Sequence, residues 1–438
     1  MPIVNVTLED ILRARDARAA AQRRLLHAYH LPLVSFTMNI AGPVKSSPLI
    51  ELAFDAGLEA LYDALGRPVT AEIIRPATGC EALLVYDRPA AAMKAACLAL
   101  ETTAPIGRLY DLDVLDTDGS KLSRSEPRTC LVCGGPVAVC SRSRAHGLEA
   151  IMGRTNAILM DFAAGYLAGL AAEALTAEVR LTPKPGLVDE HNNGAHSDMD
   201  LPLFLRSIDA LTPWFRQITA LSLCGADAAA LQAAGREAEA AMFRATGGVN
   251  THKGAVFSVG IVCAALGRLD RSLWADAARV LAEVSAMTAG LTEKDFAGVT
   301  AENAATVGQK LYIQYGITGV RGQVEAGLPA VLNVGLPVLE AGLAKGYDFD
   351  RVGGGALLAI LANSTDTNII ARSSRERQLV LTEELKALLA QTPYPDKDAL
   401  AALDDRFIAE NLSPGGSADL LALTWLLHFV TTEGNIDE

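Results

Sequence analysis

The chain has 438 residues and a formal net charge of −13, and half of its residues are hydrophobic. This length predicts two domains. The acidic net charge and the lack of a polybasic segment argue against nucleic-acid binding. No unbroken apolar run reaches the roughly 20 residues of a membrane span. Seven scattered cysteines and an N-terminus without an apolar signal core predict a cytoplasmic protein with reduced thiols and with no membrane or nucleic-acid partner.

The first 155 residues mix predicted helices and strands, which indicates an α+β domain. They carry equal numbers of acidic and basic side chains, so the acidic excess lies in residues 156–438. The predicted helices cover 7–30, 48–65 and 89–103, and the predicted strands cover 33–40, 72–75, 82–86 and 107–115.

The strand predicted over 107–115 carries two carboxylates on one face. Alternation along a strand sends Asp111 and Asp113 to the same side. Two carboxylates in this arrangement suit a Mg²⁺ ion that bridges phosphate oxygens. A solvated strand face is the alternative interpretation.

Three cysteines and one histidine follow in a short segment, at Cys130, Cys133, Cys140 and His146. Thiolates and an imidazole at this spacing can close a tetrahedral zinc site. Ordinary buried cysteines are the alternative. Arg142 and Arg144, which lie between the last cysteine and the histidine, can instead face a phosphate.

From about residue 150 the sequence is helical almost throughout, with polar segments between the helices. The preceding helix stops at 182–186, and the segment 187–200 then concentrates carboxylates, amides and imidazoles, a set of groups that favours hard cations such as Mg²⁺. A turn capped by Asp and Asn explains the same composition. The predicted helices cover 156–180, 201–222, 255–267, 271–289 and 301–313.

The segment 245–254 is typical of a phosphate-binding turn. Its glycines permit the positive φ angles of an anion-binding nest, and a helix that begins near Lys253 would add its positive N-terminal end. The lysine adds a mobile charge. A plain glycine-rich helix cap is the alternative.

Three further polar segments lie at 315–327, 363–372 and 411–420. Arg321, in the first of them, offers a guanidinium fork that fits a phosphate. Because glycine-containing polar segments recur between apolar helices, we predict that they form one site at the helix ends.

Five strings of the second half resemble the triphosphoribosyl-dephospho-CoA synthase family: TPKPGLVDEHNNGAHSDMD (182–200), GVNTHKGAVF (248–257), GVRGQVEAG (319–327), DTNIIAR (366–372) and NLSPGGSADLLA (411–422). Five strings of the first half resemble the apo-citrate lyase phosphoribosyl-dephospho-CoA transferase family: SFTMNIAGPVK (35–45), TGCEALLVYD (78–87), GRLYDLDVLD (107–116), RTCLVC (128–133) and CSRSRAH (140–146). Together the two halves resemble the fused, bifunctional form of these enzymes.

The resemblance implies two domains. Residues 1–155 would form an α+β domain with a nucleotidyltransferase-like mixed sheet and helices, and residues 156–438 an all-α helical bundle. The second domain would join ATP to 3′-dephospho-CoA with Mg²⁺, releasing adenine. The first would then transfer the product to a serine of the citrate lyase acyl-carrier (gamma) subunit and release pyrophosphate.

The resemblance also implies roles for individual residues. Asp189, Glu325 and Asp366 are candidates for the base or a metal ligand of the first step, Asp366 for Mg²⁺, while Asp111 and Asp113 would hold Mg²⁺ in the second. Candidate residues for binding nucleotide and substrate are Lys45, Arg108, Arg142, Arg144, Lys184, Asn192, Asn193, His196, Gly248, Asn250, Thr251, His252, Lys253, Gly254, Arg321, Asn368, Arg372, Ser413, Gly415 and Gly416.

Three other functions fit parts of the pattern. The same motifs suit the analogous cofactor pathway of malonate decarboxylase, which has a different carrier protein. An all-α domain with Asp-rich loops is also compatible with an ADP-ribosyl-type glycohydrolase. The Cys/His cluster alone is compatible with a zinc-binding adaptor that docks a carrier protein.

Overall fold

The computed structural model describes residues 4–124 and 126–432, which form two compact units that divide between Ala163 and Ala164. The division falls within a single helix of 33 residues, Leu148–Arg180, which begins at Leu148 and not at residue 156 as predicted. By length and composition this helix could cross a membrane, but 56% of its most apolar window is buried inside the protein. Asp161 and Glu173 also interrupt its apolar sequence, so we interpret it as a core helix.

The first unit combines four strands with helices in the part of the chain that the structure describes. The helices are α1 (Leu8–Tyr29), α2 (Pro48–Leu65), α3 (Ala90–Thr103), α4 (Val137–Ser143) and the beginning of α5 (Leu148–Arg180). The strands are β1 (Leu33–Met38), β2 (Thr70–Ile74), β3 (Glu81–Val85) and β4 (Tyr110–Leu115). The predicted strand over 107–115 is therefore shorter, because Pro105–Leu109 forms a 3₁₀ turn.

The strands form one sheet in the order β2-β3-β1-β4. All three neighbouring pairs are antiparallel, so the prediction of a mixed sheet was wrong. Val34 and Phe36 of β1 lie in the main core of this unit together with apolar residues of α2, α3 and α5. Phe36 stacks on Phe54 of α2 with a ring-centroid distance of 4.6 Å. Since side chains alternate along a strand, Ser35 and Thr37 face the other side of the sheet.

Helix α1 covers part of that other face. A capping box between Thr7 and Asp10 satisfies its first backbone N–H groups. Near its C-terminal end, Leu25 and Leu26 pack on apolar residues of β1 and β3. Polar side chains of β4 therefore remain partly accessible at the opposite end of the same face.

In the second unit, all the regular elements of the described residues are helices. After α5 its helices are α6 (Leu201–Leu223), α7 (Ala228–Ala245), α8 (Lys253–Arg268), α9 (Ala277–Met287), α10 (Leu291–Phe296), α11 (Val307–Tyr315), α12 (Gly319–Glu325), α13 (Leu336–Ala344), α14 (Phe349–Asn363), α15 (Thr367–Arg372), α16 (Arg375–Gln391), α17 (Lys397–Ala409) and α18 (Gly415–Thr432). A π-helical turn, Val331–Gly335, precedes α13.

Helix α14 is the core helix of the second unit, since every residue from Val352 to Ala362 is buried. It packs against α13, α16 and α18, while α6 packs against α7 and α8. Helix α18 also packs against α8.

Three predicted elements of the second unit differ from the structure. The helix predicted over 271–289 begins only at Ala277, because Asp276 caps it after a 3₁₀ turn. The helix predicted over 301–313 is shifted to Val307–Tyr315, where Thr306 and Gln309 form a capping box. The polar segment 315–327 contains the short helix α12.

Candidate active sites

Five polar segments of the second unit meet at one cavity of about 410 Å³. The cavity wall includes residues from 182–200, 248–257, 319–327, 363–372 and 411–422. The convergence predicted from the sequence is therefore present in the structure. The polar side chains of the wall belong to Glu178, Lys184, His196, Asp198, Asn250, Thr251, His252, Lys253, Gln323, Thr365, Thr367, Asn368, Arg372, Ser413 and Asp419.

Two long helices begin at this cavity. Helix α8 begins at Lys253, as predicted, and α18 begins at Gly415, and Gly254 and Gly416 in their first turns also line the wall. Gly247 and Gly248 adopt φ angles of 65° and 93°, so the chain turns sharply toward α8, although Gly248 is not part of the wall. Backbone N–H groups at the start of a helix lack intrahelical partners and attract anions.

Lys184 is a buried cation in the cavity wall. Its Nζ donates to the Glu178 carboxylate (2.7 Å) and to the Glu178 carbonyl oxygen (2.9 Å). Because an unpaired charge is costly to bury, the Glu178 carboxylate supplies the partner that this buried side chain needs. Sequence analysis did not identify Glu178, which is an unremarkable acidic residue within α5.

Asp189 holds the turn that carries Lys184. One carboxylate oxygen accepts from the Lys184 backbone N–H (2.9 Å), and the other accepts from those of His191 and Asn192 (2.7 and 2.8 Å). Asp404 of α17 fixes the same segment through Asn192 Nδ2 (2.7 Å). Asp189 and Asn192 are thus positioned behind the wall and are not part of it.

The other two carboxylates predicted as catalytic also act as caps. Asp366 accepts from backbone N–H groups at the start of α15 and from Ser417 at the start of α18, at 2.7–3.3 Å. Glu325 accepts from the N–H of Gly290 and from Thr292. Since both oxygens of each carboxylate already accept hydrogen bonds and neither residue lines the cavity, the geometry does not favour them as base or metal ligand.

A hydrogen-bonded group joins three of the converging segments. Arg372 donates to the Ala195 carbonyl oxygen (2.8 Å) and to Asn411 Oδ1 (2.9 Å), and its second Nη lies 3.1 Å from His196 Nδ1. The other ring nitrogen of His196 lies 2.8 Å from Ser413 Oγ. Burial, and then the nearby Arg372, lowers the pKa of His196, which favours the neutral imidazole.

His252 presents an unpaired nitrogen in the cavity wall. Thr251 donates to Ser207 Oγ (2.8 Å), which lies 2.8 Å from His252 Nδ1. Ser207 can then donate to Nδ1, so that the proton of the neutral ring resides on Nε2. Within the described residues, Nε2 is buried and has no hydrogen-bond partner. Burial, and to a lesser degree Lys184, lowers the pKa of His252 to about 3, so the ring is neutral at physiological pH.

Asp419, in the first turns of α18, is another cavity carboxylate that sequence analysis did not identify. Among the described residues it forms no hydrogen bond or ion pair, and a Cβ atom at residue 254 would lie 1.9 Å from its Oδ2. Gly254 therefore leaves the space that this carboxylate occupies. Burial, then Glu178 and Asp366, raises the pKa of Asp419 well above its usual value.

The wall contains as many acidic as basic side chains, namely Glu178, Asp198 and Asp419 against Lys184, Lys253 and Arg372. Lys253 is also paired with Glu239 at 2.7 Å. A triphosphate would thus need a divalent cation as well as the helix N-termini to balance its charge.

Two more predicted binding residues lie outside the wall, in addition to Asn192 and Gly248. Arg321 pairs with Asp295 on the surface, although Gly319 and Gln323 of its segment do line the cavity. Asn193 is exposed and is not part of the lining.

In the first unit, Asp111 and Asp113 lie on the same face of β4, between the buried residues Tyr110, Leu112 and Val114. Asp111 accepts from Arg128 at 2.9 Å, and Asp113 pairs with Lys121. A magnesium ion at this face would have to displace or share these cations.

Asp111 also lines a smaller pocket of about 170 Å³ beneath α1. Lys45, Arg15, Arg18 and Glu81 contribute to its wall, whereas Asp113 does not. Burial, and then Arg15, lowers the pKa of Lys45. This pocket brings cations and a carboxylate together, as a phosphate-transfer site requires.

The other predicted cations of the first unit do not reach this pocket. Arg108 donates to the Thr129 carbonyl oxygen at 2.7 Å, while Arg142 and Arg144 are exposed at the end of α4. Beside them, ligand atoms of Cys130, Cys133, Cys140 and His146 all lie within 4.8 Å of one another.

Comparisons with known proteins divide the chain in a similar way. Residues 6–162 match the family described as apo-citrate lyase phosphoribosyl-dephospho-CoA transferase (CitX), and residues 164–437 match ATP:dephospho-CoA triphosphoribosyl transferase (CitG). Protein CitXG of Haemophilus influenzae is 36% identical over 98% of this chain and 97% of its own length. Protein CitXG of Leuconostoc mesenteroides subsp. cremoris is 32% identical over 96% and 97%. The 2-(5''-triphosphoribosyl)-3'-dephosphocoenzyme-A synthase of Pectobacterium atrosepticum is 43% identical over 60% of this chain and 88% of its own length.

Proposed function

The chain belongs to the family of CitXG proteins, and on this premise we propose that it makes and attaches the prosthetic group of citrate lyase in two consecutive transfers. The second unit joins ATP to 3′-dephospho-CoA and releases adenine. The first unit then transfers the triphosphoribosyl-dephospho-CoA to a serine of the apo acyl-carrier subunit and releases pyrophosphate. The observation that carries the first step is the single cavity formed by five polar segments at the N-termini of α8 and α18.

The triphosphate of ATP binds at the helix N-termini in this cavity. Backbone N–H groups near Gly254 and Gly416 receive phosphate oxygens, and Lys184, Lys253 and Arg372 supply positive charge. Magnesium accompanies ATP and neutralises the charge that the balanced cavity wall cannot. The Nε2–H of His252 is buried and has no hydrogen-bond partner among the described residues. It can therefore donate a hydrogen bond to the substrate without breaking one to the protein.

Asp419 is the proton acceptor of the first step. The 2′-hydroxyl of dephospho-CoA forms a bond to C1 of the ATP ribose while the bond from C1 to adenine N9 breaks. Asp419 takes the hydroxyl proton. The departing adenine takes the electron pair of the C1–N9 bond and is protonated by water, and Asp419 later returns its proton to water. The Asp419 carboxylate has no partner among the described residues, and its raised pKa makes it a stronger proton acceptor than an ordinary carboxylate.

Asp189 and Asp366 act as positioning residues for this site. Their hydrogen bonds hold the turn at Lys184 and the starts of α15 and α18, on which Asp419 depends. This assignment replaces the catalytic roles that the sequence suggested for them.

The second transfer takes place at the partly accessible face of β4 in the first unit, which we propose to be a nucleotidyltransferase-like domain. Asp111 and Asp113 would hold Mg²⁺ against the departing pyrophosphate, and Lys45 with Arg15 would contact the phosphates. The carrier serine oxygen attacks the α-phosphorus and loses its hydroxyl proton to water. The new phosphodiester bond forms while the bond from this phosphorus to the oxygen that bridges to the β-phosphate breaks, and pyrophosphate leaves with the electrons of that bond.

The test is to incubate the full chain with ATP, Mg²⁺ and 3′-dephospho-CoA, with and without the apo acyl-carrier subunit. We expect adenine in both reactions, and pyrophosphate together with a mass increase of the carrier only in the second. Adenine release that does not require dephospho-CoA would indicate a glycohydrolase and contradict the proposal.

A further inference from the structure

The segment 128–147 of the first unit has little apolar packing apart from Leu131, which packs against the main core of the unit. Its helix α4 contains no buried residue, and Val139 is 61% exposed. A few backbone hydrogen bonds hold it, including Cys130 N–H to Gly135 (2.7 Å) and Gly134 N–H to Cys130 (3.0 Å). A segment of this size without a core usually needs a cross-link or a metal to stay folded.

Four ligand groups meet within this segment. One atom each from Cys130, Cys133, Cys140 and His146 lies within 4.8 Å of the other three. The sulfurs of Cys133 and Cys140 are 3.5 Å apart, well beyond the roughly 2.05 Å of a disulfide bond. Zinc–sulfur bonds of about 2.3 Å in a tetrahedron place two sulfurs about 3.8 Å apart, close to the separation found here.

One further observation points to a metal. His146 Nε2 is buried and has no hydrogen-bond partner among the described residues, although such a nitrogen is normally satisfied. Coordination to a metal would give this nitrogen the partner that it lacks.

We propose that Cys130, Cys133, Cys140 and His146 bind one Zn²⁺ ion as a closed, structural site. Four protein ligands leave no open position for a substrate or water, so the ion stabilises the segment and does not take part in the chemistry. Zinc would replace the missing apolar core of the segment.

If the proposed function is correct, the zinc site also stabilises the transfer site at Asp111. Arg128, two residues before the first cysteine, donates to Asp111 (2.9 Å) and to the buried Glu101 (2.7 Å). Arg108 holds the adjacent Thr129 carbonyl oxygen. The zinc site thus fixes the segment that brings Arg128 to Asp111, and Arg128 is a positioning residue.

The first experiment measures metal in the full chain purified without chelators, by plasma mass spectrometry. We expect about one zinc per chain, and about tenfold less in the double variant Cys133→Ser, Cys140→Ser. Cys224→Ser, which removes an exposed thiol of the second unit, is the matched control and should keep its zinc. Wild-type chain that neither contains zinc nor takes it up when Zn²⁺ is added would overturn the proposal.

A second measurement does not depend on the folding of any variant. Replacement of zinc by Co²⁺ in the wild-type chain should give the visible bands of tetrahedral cobalt together with thiolate-to-cobalt charge transfer. A spectrum without thiolate bands, or a Cys133–Cys140 disulfide found by mass spectrometry in freshly purified protein, would contradict a Cys₃His site.

The activity arm separates this inference from the proposed function. Removal of zinc should slow pyrophosphate release on the carrier subunit and leave adenine release from ATP unchanged. If removal of a bound zinc ion leaves both rates unchanged, the positioning of Arg128 by the metal is wrong. If neither reaction occurs in the zinc-loaded chain, the proposed function fails while the metal site stands.

Discussion

Replacement of Asp419 by Asn tests the chemistry of the first transfer most directly. The amide has nearly the same size and fits beside Gly254, but it cannot accept the hydroxyl proton. Loss of a positioned general base typically lowers a rate by about 10²–10⁴-fold, which corresponds to about 3–5 kcal/mol of transition-state stabilisation. We expect this loss mainly in kcat for adenine release, with a smaller change in the KM for ATP, because the proposed role of Asp419 is to accept the hydroxyl proton and not to bind phosphate.

The assay follows adenine by chromatography at saturating ATP, Mg²⁺ and dephospho-CoA. Asp198→Asn is the matched control, because Asp198 lines the same cavity but its side chain is 63% exposed. It should lose less than about threefold in rate, as expected of a solvated surface charge. Asp419→Asn with a near-normal kcat would refute the assignment, and recovery of its rate at high Mg²⁺ would assign Asp419 to the metal instead.

The pH dependence of the wild type gives an independent check with a defined sign. Because the pKa of Asp419 is raised in the folded protein, the base becomes protonated at a higher pH than an ordinary carboxylate. The acidic limb of the kcat profile should therefore lie above the usual range of Asp, and Asp419→Asn should abolish that limb.

Stability should change in the opposite direction to activity. The neutral form of Asp419 favours the folded state below the pKa of the unfolded chain, and this contribution is lost as the pH rises through the raised folded value. Above the pKa of the unfolded chain, this carboxyl group therefore lowers stability relative to a neutral side chain, so Asp419→Asn should melt at a higher temperature than the wild type at alkaline pH. The difference should shrink as the pH is lowered, which differential scanning fluorimetry can follow.

Three further variants test other parts of the structure. Lys253→Ala should raise the KM for ATP about tenfold at unchanged melting temperature, because a charge at the start of α8 contributes roughly 1–2 kcal/mol to anion binding. Lys294→Ala, which removes an exposed lysine, is the control and should leave the KM unchanged. Asp111→Asn should slow pyrophosphate release on the carrier subunit at least tenfold and leave adenine release intact; full transferase activity would exclude a role for Asp111. Asp404→Ala should lower the free energy of unfolding by about 1–3 kcal/mol, because it leaves the Gly186 N–H and the Asn192 amide without their partner. The measurement is the midpoint of unfolding in urea, and an unchanged midpoint would mean that water replaces the carboxylate.

The sequence was sufficient for the architecture where the local signals were strong. Ser47 followed by Pro48 marks the start of α2, and the glycines at 247 and 248 mark the turn before α8; both helices begin where predicted. The predicted helix boundaries were wrong where a capping residue inside the predicted range sets the first turn, as Asp276 and Thr306 do. The predicted convergence of polar segments depended on one general rule, that polar groups between apolar helices collect at the helix ends.

The individual carboxylates of the site could not be predicted in this way. An Asp that precedes several backbone N–H groups can be a metal ligand, a base or a cap, and for Asp189 and Asp366 the fold supplied enough N–H partners to make them caps. Asp419 lacks any such local signal, since it lies within a helix among apolar neighbours. Its accessibility depends on where α18 meets α8, which is a property of packing and not of local sequence.

The space beside Gly254 has a consequence for which substitutions the enzyme can tolerate. Even a methyl group at residue 254 would coincide with an oxygen of Asp419, so Gly254→Ala would expel that carboxylate from its position while leaving residue 419 chemically intact. A mutation in one helix would thus mimic the loss of a reactive group carried by another. Variation at the two positions is therefore coupled, and a side chain at 254 becomes acceptable only together with a shorter residue at 419.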